Sequence, residues 1–222
     1  MSATERYTAT RTSIRTASIM VLFTVVFTTL MSGTYWLTRP AIEASQLQER
    51  MRLINELLPA SAYNNALLED FVELGPTPEL GLDRGGRVYR ARFDGQPAAL
   101  ILESVAPDGY AGRISLAVAV NIAGQITGVR VTEHKETPGL GDYIDPRKDR
   151  NKQRPWVTQF DGLSFAQVSE ARWKVSRDGG HFDYMIGATI SARAVTHASA
   201  RALAYANTHR NALFAAETGS RL

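Results

Sequence analysis

Between Ser18 and Thr38 the chain reads SIMVLFTVVFTTLMSGTYWLT, a stretch without a single charged side chain. About 20 such residues make a helix long enough to cross a hydrocarbon core roughly 30 Å thick, so the rest of the chain is expected to hang from a membrane anchor. Thr and Ser lower the hydrophobicity of the stretch, but each hydroxyl can bond back to a carbonyl of its own helix. Tyr35 and Trp36 stand at its far end, where interfacial aromatic rings collect. A cleaved leader is the competing reading, with Met31-Ser32-Gly33 offering small residues. Against it, the apolar run exceeds the roughly 7–15 residues of a leader core. Arg6, Arg11 and Arg15 precede the span, opposed by Glu5 alone, a bias that puts the N-terminus in the cytoplasm. In a bacterium the remainder then faces the periplasm across the inner membrane.

The span fixes how the chain divides. Residues 1–17 are expected as a cytoplasmic tail, 18–38 as the transmembrane helix, 39–85 as an amphipathic helix and linker, 86–210 as the main domain, and 211–222 as a tail. After Pro40, apolar residues at Ile42, Leu47, Met51, Ile54, Leu57 and Leu58 keep close to helical spacing until Pro59. Residues 64–86 are rich in Pro and Gly and predict a turn-laden connection. Strand composition then appears in pairs. Arg87–Phe93 and Ala98–Val105 flank an Asp94-Gly95 turn, and Arg113–Asn121 and Gln125–Glu133 flank Ala123-Gly124, which predicts two hairpins. A short strand is expected over Trp173–Arg177. A final helix carries Ile190, Ala194, Val195, Ala198, Ala202 and Leu203 on one stripe, to pack on a sheet face. The fold class is therefore α+β, an antiparallel sheet and a C-terminal helix behind one membrane span.

The chain contains no Cys, which excludes disulfides, thiol redox chemistry and Cys-ligated zinc or iron–sulfur sites. Its net charge of +3 is small for 222 residues and no nucleic-acid motif accompanies it, so nucleic acid is set aside as a partner. Two segments hold chemical interest. In FDYMIGATIS, Phe182–Ser191, Gly187 and Ala188 lead into Thr189 where the final helix begins. Thr189 is expected as an N-cap, stabilising by about 1 kcal/mol. The same place suits a phosphate, because a helix N-terminus offers unpaired N–H groups and the positive end of the dipole, and Gly187 lets backbone approach a bulky ligand. In HKETPGLGD, His134–Asp142, Pro138-Gly139 fits the centre of a type II turn, with Gly141 a second permissive position. His134, Lys135 and Glu136 are consecutive and do not form a metal-ligand set.

Taken together, HKETPGLGD, the APDGYAG stretch at Ala106–Gly112, the Gly187-Ala188-Thr189 triplet and the N-terminal anchor resemble the FMN-binding G subunits of Rnf-type ion-translocating electron-transport complexes. The chain is also similar to the C subunit of the Na+-translocating NADH:quinone reductase. The resemblance implies FMN joined by a phosphoester to Thr189, installed by a flavin transferase of the ApbE type with FAD as donor. The transferase pattern maps onto Asp183, Gly187, Ala188 and Thr189; Ile186 stands where the family usually has Ser or Thr. It further implies a cofactor site made by Thr189, Gly187, Ala188, Ser191, Thr137, Gly139 and Leu140, with Leu140 as the apolar contact. Partners would be the other subunits of the complex, the transferase, and membrane lipid along the span. Such a chain relays electrons as a redox subunit and is not catalytic alone.

Two other functional readings remain open at this point. One is a membrane-anchored flavin-binding regulatory or sensory domain; the other is a hydrolase with Thr189 as nucleophile, for which no base is evident nearby. His181 and His197 read as structural or exposed, and Trp156 and Trp173 as core residues or as rings to stack on a flavin. The basic loop DPRKDRNKQRP, Asp145–Pro155, is a solvated surface or a contact with headgroups or a partner subunit.

Overall fold

The computed structural model describes residues 3–222, with side chains from Arg11 onward except those at 46, 47, 49 and 50. The side chains of Glu5, Arg6 and Leu47 therefore lie outside the described residues. The chain forms two compact units, Met1–Arg52 and Leu53–Leu222.

The first unit is helix. Helix α1, Ala3–Leu57, runs 55 residues and passes Pro40 without interruption, so the expected span and amphipathic helix are one element. Proline removes the N–H that would reach the Trp36 carbonyl, a loss of one bond in a long ladder. Over Arg11–Ser45 the helix is long and apolar enough to cross a membrane. Its threonines behave as the sequence predicts: Thr24 donates to the Met20 carbonyl at 2.9 Å, Thr34 to Leu30 at 2.8 Å and Thr38 to Thr34 at 2.8 Å. Each bond hides a hydroxyl that hydrocarbon would otherwise penalise.

The second unit is a five-stranded antiparallel sheet in the order of the sequence, β1-β2-β3-β4-β5, with one long helix on it. Strands β2 (Gly86–Phe93) and β3 (Gln96–Gly109) form the first expected hairpin. Positive φ at Asp94 (49°) and Gly95 (77°) makes its tight turn. Strands β4 (Gly112–Asn121) and β5 (Ile126–Glu133) form the second. Helix α2, Thr189–Ala215, packs on β3 and β4. Ala194, Val195, Ala198, Ala202 and Leu203 are fully buried beneath it, whereas Ile190 is exposed and falls off the expected stripe. The last turn of α1 also belongs to this unit: Ile54, Leu57 and Leu58 are buried, and Leu57 backbone lies 2.9 Å from where a Cβ on Gly128 of β5 would be. Only glycine admits that approach.

Two stretches assigned to linker and tail contribute to the sheet. Residues 71–74 are strand β1, paired with β2. Residues 219–222 run along its other side: Gly219 N–H donates to the Phe71 carbonyl at 2.8 Å, Glu73 N–H to Ser220 at 2.9 Å, and Leu222 N–H to Glu73 at 2.9 Å. Fully buried Arg90 of β2 fastens the far end of α2. Its Nε donates to Asp70 Oδ1 at 2.6 Å, Nη1 to the Leu213 and Ala216 carbonyls at 3.0 and 2.5 Å, and Nη2 to Thr218 Oγ1 at 2.8 Å. Arg92 completes the knot, donating to Asp70 Oδ2 at 2.8 Å and the Phe214 carbonyl at 3.1 Å. The orphan carbonyls that every helix C-terminus leaves are thus filled by guanidinium donors.

Between β5 and α2 the backbone makes only short 3-10 turns and loops. The strand expected over Trp173–Arg177 is absent: 3-10 turns occupy Glu170–Arg172 and Ser176–Asp178, and Val175 makes one isolated bridge to Phe182. Trp173 and Phe182 are fully buried, with ring centroids 4.9 Å apart, and Phe160 lies 4.7 Å from Phe182. Aromatic packing, in place of a ladder, holds this segment.

Candidate functional site

The two segments singled out by sequence meet in space. In HKETPGLGD, Leu140 N–H donates to the Thr137 carbonyl at 3.1 Å, closing a turn whose third residue, Gly139, has φ +74°. That is the type II geometry expected. Asp142 Oδ1 accepts from Gly139 N–H at 2.8 Å and stiffens it. Gly141 differs from the expectation: its φ is not positive. It is required for space, since a Cβ there would lie 2.7 Å from Glu136 Oε2 and 2.8 Å from Ser191 Oγ.

Those two atoms are the seam between the segments. Glu136 is 4% exposed, and its carboxylate accepts the Ser191 hydroxyl at 2.5 Å and Ala111 N–H at 3.1 Å. One buried side chain therefore ties together the loop, the β3–β4 hairpin tip and the first turn of α2. Above the seam, Leu140 Cδ1 lies 3.5 Å from the Cβ position of Gly187, which is exposed with φ +91°. Leu140 itself is 40% exposed, and Thr137 and Gly139 are also on the surface.

The Phe182–Thr189 segment is held by its backbone. Gln159 Oε1 accepts from Asp183 N–H at 2.8 Å, Trp156 Nε1 donates to the Asp183 carbonyl at 2.6 Å, and Tyr143 Oη accepts from Met185 N–H at 3.1 Å. Burial pushes the Tyr143 phenol up to about 12, against the lowering effect of the Met185 N–H, so the ring stays protonated. Trp156 is itself set by Asp149, whose buried carboxylate accepts its N–H at 2.5 Å. Two of its side chains are left outward: Asp183 is exposed and Ile186 is 87% exposed.

Thr189 is not the N-cap. Ala188 holds that position with φ −130° and ψ 36°, Thr189 is the first helical residue, and no side chain caps the turn. A residue already in helical conformation cannot swing its hydroxyl over the following N–H groups as a cap does. Thr189 Oγ1 instead accepts from Arg177 Nη1 at 3.3 Å. Ala188 and Thr189 are nearly buried, and Ser191 is turned inward to Glu136.

A flavin mononucleotide needs a place for its phosphate and an open, flat approach for its ring. The side chains present fit that group. The first turn of α2 keeps its donors free of a side-chain cap, a hydroxyl stands at its first residue, and Gly187 and Gly139 leave space beside an exposed Leu140. Glu136, Arg177, Tyr143 and Gln159 were not found as site residues from sequence. Spacing reports periodic burial, and none of these belongs to a periodic element.

Comparison with known proteins agrees with this geometry. A family model described as "FMN-binding domain" matches residues 109–204, and one described as "RnfG N-terminal region" matches residues 1–57. The first range encloses the loop, Glu136 and the Gly187–Thr189 turn. The G subunit of the ion-translocating oxidoreductase complex of Pseudomonas aeruginosa is 43% identical over 93% of this chain and 94% of its own. The G subunits of the same complex from Escherichia coli and Shewanella loihica are 42% identical over 85% of this chain and 88% of their own, and 39% over 91% and 93%. Likeness of that degree along almost the whole length means that the chain belongs to the RnfG family, the G subunits of ion-translocating oxidoreductase complexes.

Proposed function

We propose that this chain is the electron-relay subunit of a membrane-bound ion-translocating electron-transport complex, and that it carries FMN through a phosphoester to Thr189. The observation that carries the reading is the junction of two distant segments, Leu140 against Gly187 at the uncapped first turn of α2. Bound flavin supplies the exchange between two-electron and one-electron partners. The protein's share is binding and orientation. Gly187 lets a bulky group approach the backbone, Leu140 gives it apolar contact, and Thr137 and Gly139 shape the rim. Ser191 serves from beneath, through Glu136, by fixing the loop. The N–H groups at the start of α2 and its dipole favour the phosphate charge.

Attachment is the work of a flavin transferase of the ApbE type. With FAD as donor, the Thr189 oxygen bonds to the flavin-side phosphorus, the phosphoanhydride bond breaks, AMP leaves and the hydroxyl proton is released. The outward carboxylate of Asp183, on a backbone locked by Gln159 and Trp156, is the recognition element. The other subunits of the complex are the electron donor and acceptor, and lipid surrounds the membrane-crossing part of α1, within Arg11–Ser45. Arg11 and Arg15 before the span support an N-terminus in the cytoplasm and a periplasmic second unit in the bacterial inner membrane. Co-expression with a transferase, followed by peptide mass spectrometry, tests the linkage. The peptide containing Thr189 should carry the mass of FMN, and Thr189→Val should carry none; FMN found on Ser191 or on no peptide would overturn the reading.

A further inference from the structure

Beside the acceptor hydroxyl stands a cation with no structural employment of its own. Arg177 is exposed, and its one hydrogen bond among the described residues goes to Thr189 Oγ1, at 3.3 Å. It sits in the 3-10 turn Ser176–Asp178, which closes at Gly179 with φ +79°. That turn is fixed to α2 by its next residue: Asp178 takes two hydrogen bonds from Arg193, at 2.6 and 2.8 Å, one helical turn beyond Thr189. It is fixed to the core from the other side, where Ser176 N–H donates to the Phe182 carbonyl at 2.7 Å and Gly180 N–H to Val175 at 3.1 Å. A Cβ on Gly180 would lie 1.9 Å from the Lys174 carbonyl oxygen, so this turn holds its shape only with glycine there. Asp178 also feels the charge of Arg177, but both of its carboxylate oxygens are taken by hydrogen bonds from Arg193, and no carboxylate is hydrogen-bonded to Arg177 among the described residues.

We propose that Arg177 is the phosphate-binding residue of the flavin site: its guanidinium holds the Thr189 oxygen and neutralises the phosphate that comes to it. The inference rests on the flavin reading above and adds to it a residue outside both signature segments. A guanidinium offers five donors, of which Thr189 uses one, and it matches phosphate oxygens in pairs. Because it can only donate, it occupies a lone pair of Oγ1 and leaves the hydroxyl proton free to depart. The buried charge already at the start of α2, Glu136, is negative. A second anion at the same helix end therefore needs an added cation, and Arg177 is the one in contact with the acceptor.

The test separates phosphate from ring. Full-length protein in detergent, with Thr189→Val to prevent covalent loading, is titrated with FMN and with riboflavin by flavin fluorescence. Arg177→Gln in that background should weaken FMN about 10- to 100-fold, the loss of a charge-assisted bond, and leave riboflavin unchanged. Arg177→Lys should fall between, and the salt sensitivity of FMN binding should shrink in the Gln variant. With Thr189 intact and transferase present, Arg177→Gln should also load about tenfold more slowly. Equal weakening of both flavins, weakening of neither, or a parent that binds FMN no better than riboflavin overturns the proposal. Absence of covalent flavin in the unaltered chain refutes the Thr189 linkage alone, and the two-flavin comparison still decides the role of Arg177.

Discussion

Gly141→Ala separates two reasons a loop can demand glycine. The added Cβ would lie 2.7 Å from Glu136 Oε2 and 2.8 Å from Ser191 Oγ, two atoms already joined by a 2.5 Å hydrogen bond. Overpacking of this kind costs about 1–3 kcal/mol. Parting the pair forfeits a bond to a charged group, about 1.5–3 kcal/mol. Alanine returns about 0.4–1 kcal/mol by restricting the unfolded chain. The net loss is about 1.5–5.5 kcal/mol, or a Tm lowered by roughly 3–20 °C for a unit of this size. Gly139→Ala meets nothing within 4 Å and pays only for its φ of +74°, about 1–2 kcal/mol. Ser191→Ala removes one of the two crowded atoms and frees Glu136 to move. The double variant Gly141→Ala/Ser191→Ala should therefore cost less than the sum of the singles by about 1 kcal/mol or more. Thermal unfolding of the full chain in detergent, followed by near-UV circular dichroism, measures all four. Equal losses at 139 and 141, or strict additivity with Ser191→Ala, would refute the spatial account.

Arg90→Met should destabilise by about 3–5 kcal/mol, because it leaves Asp70 and the helix-end carbonyls without their buried donor; urea midpoints of the variant and parent measure it. Burial raises the Asp70 carboxyl, but hydrogen bonds from Arg92 and Arg90 outweigh this and hold it below the ordinary carboxylate range. Its contribution is therefore present above the unfolded value, near 3.9, and is lost as pH falls through the folded one; Asp70→Asn should flatten that acid limb of the stability curve. Tyr143→Phe leaves Met185 N–H unpaired, and should cost about 1 kcal/mol by thermal unfolding and lower flavin content more than Trp173→Phe, whose ring lies in the core. A periplasm-dependent phosphatase fused after residue 222 should be active and a cytoplasmic reporter silent; the reverse pattern would place the site on the other face of the membrane.

What was legible in the sequence was whatever repeats. The hairpins declared themselves through alternating apolar residues on either side of Asp94-Gly95 and Ala123-Gly124, and α2 through its stripe of alanines. Strand β1 was hidden because four residues, FVEL, carry too little pattern to stand out among prolines and glycines. Trp173–Arg177 misled in the opposite sense, since its apolar residues belong to an aromatic cluster and not to a ladder. The pairing of HKETPGLGD with the Gly187–Thr189 turn came from family resemblance; the physics that seats them, a buried Glu136 and an Arg177 from a separate turn, is long-range and aperiodic. Thr189 illustrates the limit of local rules. Its type and place both suggest a cap, yet the helix starts one residue earlier than a cap would require.

The pairing of residues 219–222 with β1 sets an order of events during synthesis. Strand β1 and Arg90 emerge from the ribosome well over a hundred residues before Thr218 and the segment that lines the sheet's outer edge. At about 5–20 residues per second, that edge stays bare for some 7–30 seconds, with its N–H and C=O groups open to any passing strand. The nascent chain is thus most exposed to mispairing along the outer edge of β1. Closure comes last: residues 213–218 deliver the carbonyls and the hydroxyl for which buried Arg90 has been waiting, and residues 219–222 then cover the edge.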